Sequence, residues 1–247
     1  MMKMYLKHSY LQVSLHYNLN ISYLSLSFLF SLYQNIEDRA QYNVKFITSG
    51  SYPVYTTAGT YGSIVTNMLK CAGNRGDAIA LIDAFDEDPL LLHQSIANLP
   101  TDTTADTGED TRKYGAMIVP SAKYQMQTVS SVLTMPGSFA YLRCAAASGK
   151  NSENWYAVSG VTRGLVPNLI ELNTRMTGAI ADKLQSRDGI SINPITYINP
   201  YGYCIWGNRT LFNNDGSLRA SSFLNIRMLT NDIKKVVYQS ARRLTFE

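Results

Sequence analysis

The sequence predicts an α/β fold with a central, mostly parallel sheet flanked by helices. Three observations predict it. DAIALIDAF (77–85) is a near-continuous apolar run bounded by acids, the mark of a strand covered on both faces. YGAMIVP (114–120) is a second such run. Segments with apolar residues at helical spacing lie between and beyond these runs, and alternation of strand with helix implies a parallel sheet with helices packed on it. A chain of 247 residues with 45% apolar residues suits one or two globular domains.

The elements follow in order. From Leu11 to Tyr23 the pattern alternates without a miss: Leu11, Val13, Leu15, Tyr17, Leu19, Ile21, Tyr23. The phase then slips by one, and Leu24, Leu26, Phe28 and Phe30 continue it. A period of two reads as strand, and a slip as a bulge or turn. A strand of that length reaches ~43 Å at about 3.3 Å per residue, the span of an arm laid on a neighbour. Interspersed Asn, Ser and His count against a signal peptide. No run reaches the ~18 apolar residues that a membrane helix needs.

NVKFIT (43–48) is a strand, and SGSYPVYTTAGT (49–60) is a loop by its Gly, Pro and Ser content. A helix is expected over Tyr61–Ala72, with Ile64, Met68 and Cys71 on one face, ended by Gly73 and Gly76. Leu90–Leu99 reads as a second helix stopped by Pro100, and 101–110 as a polar loop. Further helices are expected near Gly137–Ser148 and Thr174–Gln185. GYCIWGNRTLF (202–212) reads as a buried strand. The last segment carries Leu224, Ile226, Leu229, Ile233 and Val237 at helical spacing, an apolar stripe expected to pack on the domain. The chain is expected to divide into a β-rich N-terminal arm or atypical segment (1–42), an α/β domain (43–187) and a C-terminal domain (188–247).

Charge is unevenly placed. The net charge is +4, yet between Asp77 and Asp110 there are nine acids and no Lys or Arg. From Arg219 onward six cations stand against Asp232 and Glu247. Complementary patches of this kind steer head-to-tail assembly or docking on an acidic surface. A solvated loop and a solvated helix face are the plainer account. The 17 tyrosines suit partly wet subunit contacts and semi-buried strand positions equally.

Catalytic and metal chemistry find little support. Cys71, Cys144 and Cys204 form no CxxC pair, and His8, His16 and His93 do not cluster with them, which argues against zinc and against a disulfide framework. Reduced, partly buried thiols are the simple reading. The acids Asp83, Asp86, Glu87 and Asp88 follow a predicted strand and could hold Mg²⁺ there, so a small metal-dependent α/β enzyme using Asp83, Asp86 and Asp88 is the competing reading. The same acids also make a loop soluble and favour the next helix N-terminus. SGK (148–150) is no phosphate loop, because Cys144 stands where the motif needs glycine. Arg75-Gly76-Asp77 is accounted for as the end of a helix and the start of a strand. Asn208-Arg209-Thr210 matches a glycosylation acceptor but lacks a secretory signal to give it meaning. No GxSxG is present, and the one histidine past residue 16, His93, lies in an apolar helix pattern without a nucleophile–base arrangement.

Eight segments taken together resemble the tail sheath proteins of contractile bacteriophages, of the T4-like or giant-myophage kind. They are KFITSGSYP (45–53), RGDAIALID (75–83), KYGAMIVP (113–120), MPGSFAYL (135–142), ENWYAVSGVTRG (153–164), ISINPIT (190–196), YCIWGNRTL (203–211) and FLNIRML (223–229). They cover roughly residues 43–247, in the family's order. Trp155, Arg163, Asn193, Trp206, Gly207, Arg209, Thr210 and Arg227 are the motif positions within them.

The resemblance implies a subtilisin-like central domain that is not a protease, no cofactor and no metal. It implies a structural subunit that forms stacked hexameric rings around a tail tube and contracts to drive the tube through the host envelope. Partners would be further copies of itself, the tail tube protein, and baseplate and tail terminator proteins, with no direct nucleic-acid or membrane contact. The place would be the virion tail, assembled in the bacterial cytoplasm; a phage-derived injection system is the near alternative. Terminal arms of such subunits add strands to a small sheet on neighbours. Relatives continue past the equivalent of Phe246-Glu247, so the C-terminal domain is expected to be incomplete here. The C-terminal helix lies toward the tube in such sheaths, which makes Lys234, Lys235, Arg242 and Arg243 the expected tube-facing or inter-subunit cations.

Overall fold

The computed structural model describes residues 31–48, 58–83, 108, 110–125, 131–185, 191–212 and 219–244. The alternating segment Leu11–Tyr23, the helix expected over Leu90–Leu99 and the acids Asp86, Glu87 and Asp88 lie outside the described residues. Helix α1 (31–36) precedes β1 (Phe46–Thr48), α2 (Ala58–Arg75) and β2 (Ile79–Asp83). A 3-10 turn (Thr111–Tyr114) leads into β3 (Gly115–Val119), β4 (Ala122–Gln125), β5 (Val132–Met135) and α3 (Gly137–Asn151). The one-turn α4 (Gly160–Arg163), β6 (Leu169–Leu172), α5 (Gly178–Leu184), β7 (Asn193–Ile198), β8 (Gly202–Ile205) and α6 (Leu224–Leu244) follow.

The main sheet has the order β1-β2-β3-β7-β8. Its first four strands run parallel, and β8 folds back antiparallel on β7. A separate antiparallel sheet has the order β5-β4-β6. The expected α/β class with a mostly parallel sheet is the class observed. Strands β2 and β3 are buried along their whole length. Their side chains alternate between two cores. Ile79, Leu81, Ala116 and Ile118 face Tyr141 and Cys144 of α3 and Leu224 and Met228 of α6. Ala80, Ile82, Met117 and Val119 face α1, α2 and α5. All three cysteines are buried thiols.

Several boundaries differ from the sequence reading. Helix α2 starts at Ala58 and runs through Gly73 to Arg75. Gly76 alone ends it: its φ of 68° is the left-handed conformation of a helix stop, and its N–H reaches the Ala72 carbonyl at 2.9 Å. Helix α5 starts at Gly178 rather than Thr174, because the Thr177 hydroxyl caps it by accepting from Ile180 N. The stretch 202–212 is a strand only as far as Ile205. Strands β7 and β8 extend the sheet of the preceding residues through Ile118–Asn193 and Val119–Pro194 pairing, so the boundary drawn at 187/188 falls within one sheet. Of the arm drawn over 1–42, the described part is helical at 31–36 and then irregular, and Tyr33 and Ile36 are buried in the core beneath α2.

Arg75 and Asp77 fix this junction. Arg75 is fully buried. Its Nε and Nη2 donate to the two Asp77 carboxylate oxygens at 2.9 and 3.1 Å. The same guanidinium donates to the carbonyls of Ile36 and Tyr42. One side chain therefore ties residues 31–42 to the turn between α2 and β2. Removing it leaves a carboxylate and two carbonyls without their partner. Arg75→Met is expected to lower stability by about 3–5 kcal/mol in urea unfolding; a loss under about 1 kcal/mol would show that the clasp is not structural.

Candidate assembly interface

Asp83 ends β2 and is fully buried. Its Oδ1 accepts from Ser138 N at 2.8 Å, and its Oδ2 from Ser138 Oγ at 2.7 Å and Thr48 Oγ1 at 3.4 Å. The N-cap of α3 is Pro136, which offers no side-chain acceptor, so Asp83 serves the helix's first turn from across the sheet. It is enclosed by its own capping contacts, not presented to a ligand. Among the described residues no cluster of three metal-ligating side chains occurs. Burial pushes the Asp83 carboxyl up to about 6, although the Ser138 and Thr48 hydrogen bonds oppose this. The unfolded chain therefore loses this proton first as pH rises. Stability should fall by roughly 3 kcal/mol between about pH 4 and 6 on this group's account. In Asp83→Asn that slope should vanish from urea melts taken across the same range; an unchanged slope would assign the titration elsewhere.

The motif residues of 190–211 form a staple. Asn193, at the start of β7, donates from Nδ2 to the carbonyls of Met117 (3.0 Å) and Arg209 (2.9 Å). Its Oδ1 accepts from Arg209 N at 2.7 Å. The amide thus binds β3 to the segment that leaves β8. Along that segment the backbone bonds scatter: Trp206 N donates to the Pro194 carbonyl, Arg209 pairs with the Asn193 side chain, Thr210 N donates to the Ser222 carbonyl and Leu211 N to the Gly115 carbonyl, so no continuous ladder forms. Gly207 is required by the same contact: a Cβ there would stand 2.7 Å from Asn193 Oδ1 and 2.6 Å from Gln185 Nε2. Thr210 is buried and donates to the Ser221 carbonyl at 2.8 Å. The Arg209 guanidinium lies 4.5 Å over the Phe223 ring. Asn193→Ala is expected to lower stability by about 2 kcal/mol, because one buried and two partly buried backbone groups lose this partner. Thermal or urea unfolding measures it.

Helix α6 reverses the expected orientation. Its buried positions are Leu224, Arg227, Met228 and Asn231. The Arg227 guanidinium stacks 4.6 Å over the Tyr114 ring, and Asn231 donates to the Ala78 carbonyl at 3.1 Å. Lys234 Nζ donates to the Tyr114 hydroxyl at 2.9 Å. Lys235 is half-buried near Asp77, and desolvation lowers its pKa while Asp77 partly restores it. Asp232 pairs with Lys45 at 3.4 Å. The face turned to the body is thus apolar at its start, through Leu224 and Met228, and polar or cationic over the rest. Of the expected stripe only Leu224 is buried, whereas Ile233 and Val237 are exposed. The correction has a local cause: the surface under α6 is Tyr114, Ala78 and the charged 75–77 turn, which hydrogen-bonding and cationic side chains match and alkyl chains do not.

The remaining candidates lie on the surface. Arg242 and Arg243 are exposed at the far end of α6. Trp155 and Trp206 are exposed, as are Tyr197, Tyr201 and Leu165 around the β7–β8 hairpin. Arg163 donates to the Ala157 carbonyl at 3.1 Å and stacks 4.9 Å from the Tyr156 ring. The structure gathers Asn193, Gly207, Arg209 and Thr210 into one staple but separates Lys234 and Lys235 from Arg242 and Arg243. Sequence reading did not find Tyr114 and Asp77 as the seat of α6, and no local signal marks them.

No protein-family model and no characterised protein sequence matches the chain. Solved structures do. A chain of an extracellular contractile injection system, the PVC sheath complex in its contracted state, superposes with a TM-score of 0.60 at 15% identity, over 87% of this chain and 52% of that one. The anti-feeding prophage helical sheath in its contracted state gives 0.56 at 15% identity, over 89% and 52%. The anti-feeding prophage baseplate gives 0.58 at 15% identity, over 89% and 51%. The chain carries a contractile-sheath fold. It spans about half the length of the solved chains it matches.

Proposed function

We propose that the chain is a structural subunit of a contractile sheath, polymerising as stacked hexameric rings around a tail tube and contracting to drive that tube through an envelope. The observation that carries the reading is the sheath fold, matched over 87–89% of the chain in the two sheath assemblies. The enclosure of Asp83 by Ser138 and Thr48 supports a structural part over a metal-dependent enzyme. Self-assembly is the function of the surface; the tube, baseplate and tail terminator are its further partners. Assembly would take place in the bacterial cytoplasm and end in the tail of the particle. The particle is a phage tail in this reading, with a phage-derived injector as the other home for the same subunit; the neighbours are described as injection-system sheaths.

Exposed Arg242 and Arg243 are the cations of α6 left for a tube, since Lys234 and Lys235 face the body. Each exposed pair contributes only ~0–1 kcal/mol, which suits a contact repeated along a tube that the sheath must release. Negative-stain microscopy of the purified chain with tail tube is expected to show striated tubes. Discrete particles together with a metal-dependent rise in thermal stability would favour the enzyme instead. Arg242→Glu with Arg243→Glu should weaken seating on the tube and flatten its salt dependence, read by co-sedimentation at increasing ionic strength.

A further inference from the structure

Residues 31–42 hold one side chain against the far half of α6. Tyr33 and Ile36 are buried in the core, and the carbonyls of Ile36 and Tyr42 both accept from the Arg75 guanidinium. Arg39 lies midway between those two anchors. The chain closes a turn around it: Asp38 Oδ1 accepts from Ala40 N at 2.8 Å, and the Asp38 carbonyl accepts from Tyr42 N at 3.1 Å. From this turn the Arg39 guanidinium reaches the Tyr238 ring, 4.8 Å from its centroid. Tyr238 is the one residue of 236–244 that is not exposed. Arg242 stands one helical turn beyond it on the same face, and Arg243 follows.

We propose that Arg39 is a positioning residue for the end of α6: stacked on Tyr238, it keeps the last turns helical and so fixes where Arg242 and Arg243 stand. A helix end whose side chains are exposed frays, because its last carbonyls lack intrahelical donors and little packing holds the turn. Tyr238 is the half-buried residue of this end, and Arg39 is the cation on its ring. The turn that presents Arg39 is already fixed by Arg75 and by Asp38, so little further ordering is needed to make the contact. The residue types suit the task, since a planar guanidinium stacks on an aromatic face and an ammonium does not. An exposed contact of this kind shifts an equilibrium about two- to fivefold. That is small for a core, but a helix end lies near the balance of formed and frayed, where such a shift changes its population. Repetition along a polymer multiplies it. The positioning stands on this contact; the tube as what Arg242 and Arg243 meet rests on the sheath reading.

Hydrogen exchange of the native chain reads the contact. Arg39→Gln should speed exchange at the amides of 240–244 about two- to fivefold. Tyr238→Ile, which removes the ring at similar helix propensity, should do the same. Both should leave the amides of 228–232 and the urea midpoint at wild-type values, and Tyr238→Phe, which keeps the ring, should exchange as wild type. The double variant should exchange no faster than either single one, because both changes remove the same contact. The inference is overturned if Arg39→Gln leaves exchange at 240–244 unchanged, if the two single effects add, or if Tyr238→Phe behaves as Tyr238→Ile. Co-sedimentation with tail tube gives a readout that a merely structural contact would not move. Arg39→Gln should seat more weakly than wild type although it keeps Arg242 and Arg243; seating at wild-type strength overturns the positioning role. Failure of the wild type itself to seat on tube would sink the sheath reading alone, and the exchange rates would still decide the contact.

Discussion

The buried Arg75–Asp77 pair is the constraint on which the rest of the molecule turns. A guanidinium at zero exposure is tolerable only with its charge matched and its donors occupied. Asp77 supplies the charge, and the carbonyls of Ile36 and Tyr42 supply the remaining acceptors. Satisfying that one side chain fixes where α2 ends, where β2 begins and where residues 31–42 lie. It also fixes the surface offered to α6. Gly76 is left-handed, and its neighbours Arg75 and Asp77 bring opposite charges to the top of the sheet. Lys235 and Asp232 of α6, with Lys45 before β1, extend this to three cations and two carboxylates. A helix seated on such a surface must present polar atoms to it. Beyond Leu224 and Met228, which reach the core, the apolar residues of its later turns are left on the outside.

What could be read from the sequence follows from this. Strands β2 and β3 were legible because their burial on both faces is written locally, as uninterrupted apolar runs. The period-two assignment of their side chains to two cores needs no knowledge of distant residues. The face of α6 was not legible. A 3.6-residue apolar period shows that a stripe exists; it does not say which way the stripe points. That direction depends on Tyr114 and Asp77, more than a hundred residues earlier in the chain. The segment 206–212 failed for a related reason. Its apolar and aromatic content suits a strand, yet Arg209 bonds to the Asn193 amide while Trp206, Thr210 and Leu211 bond to three different backbone segments. Gly207 was the one local sign, since glycine in a strand pattern marks a close approach by other atoms.

The motif positions divide into two kinds. Asn193, Gly207, Arg209, Thr210 and Arg227 build the body: they staple β7 to β3 and seat the chain that leads into α6. Trp155 and Trp206 are partly open, 37% and 43% exposed, with the larger part of each side chain covered by its own chain. The same division separates the cations: those near the base of α6 hold it to its own subunit, and those at its far end are free to meet something else.

A sheath that changes state has to keep its subunits rigid while their contacts rearrange. The distribution of polarity on α6 fits that requirement. Hydrogen bonds and cation–π contacts lose much of their worth when displaced by an ångström or two, because they depend on direction as well as distance. Placed beneath α6, they hold the helix in one position on its subunit. Apolar contact is non-directional, and a ridge can slide along another with little loss of buried area. A helix with the opposite arrangement would pack loosely on its own domain and stiffly on its neighbour. The arrangement of α6 thus places directional chemistry against its own domain and leaves non-directional chemistry on the outside.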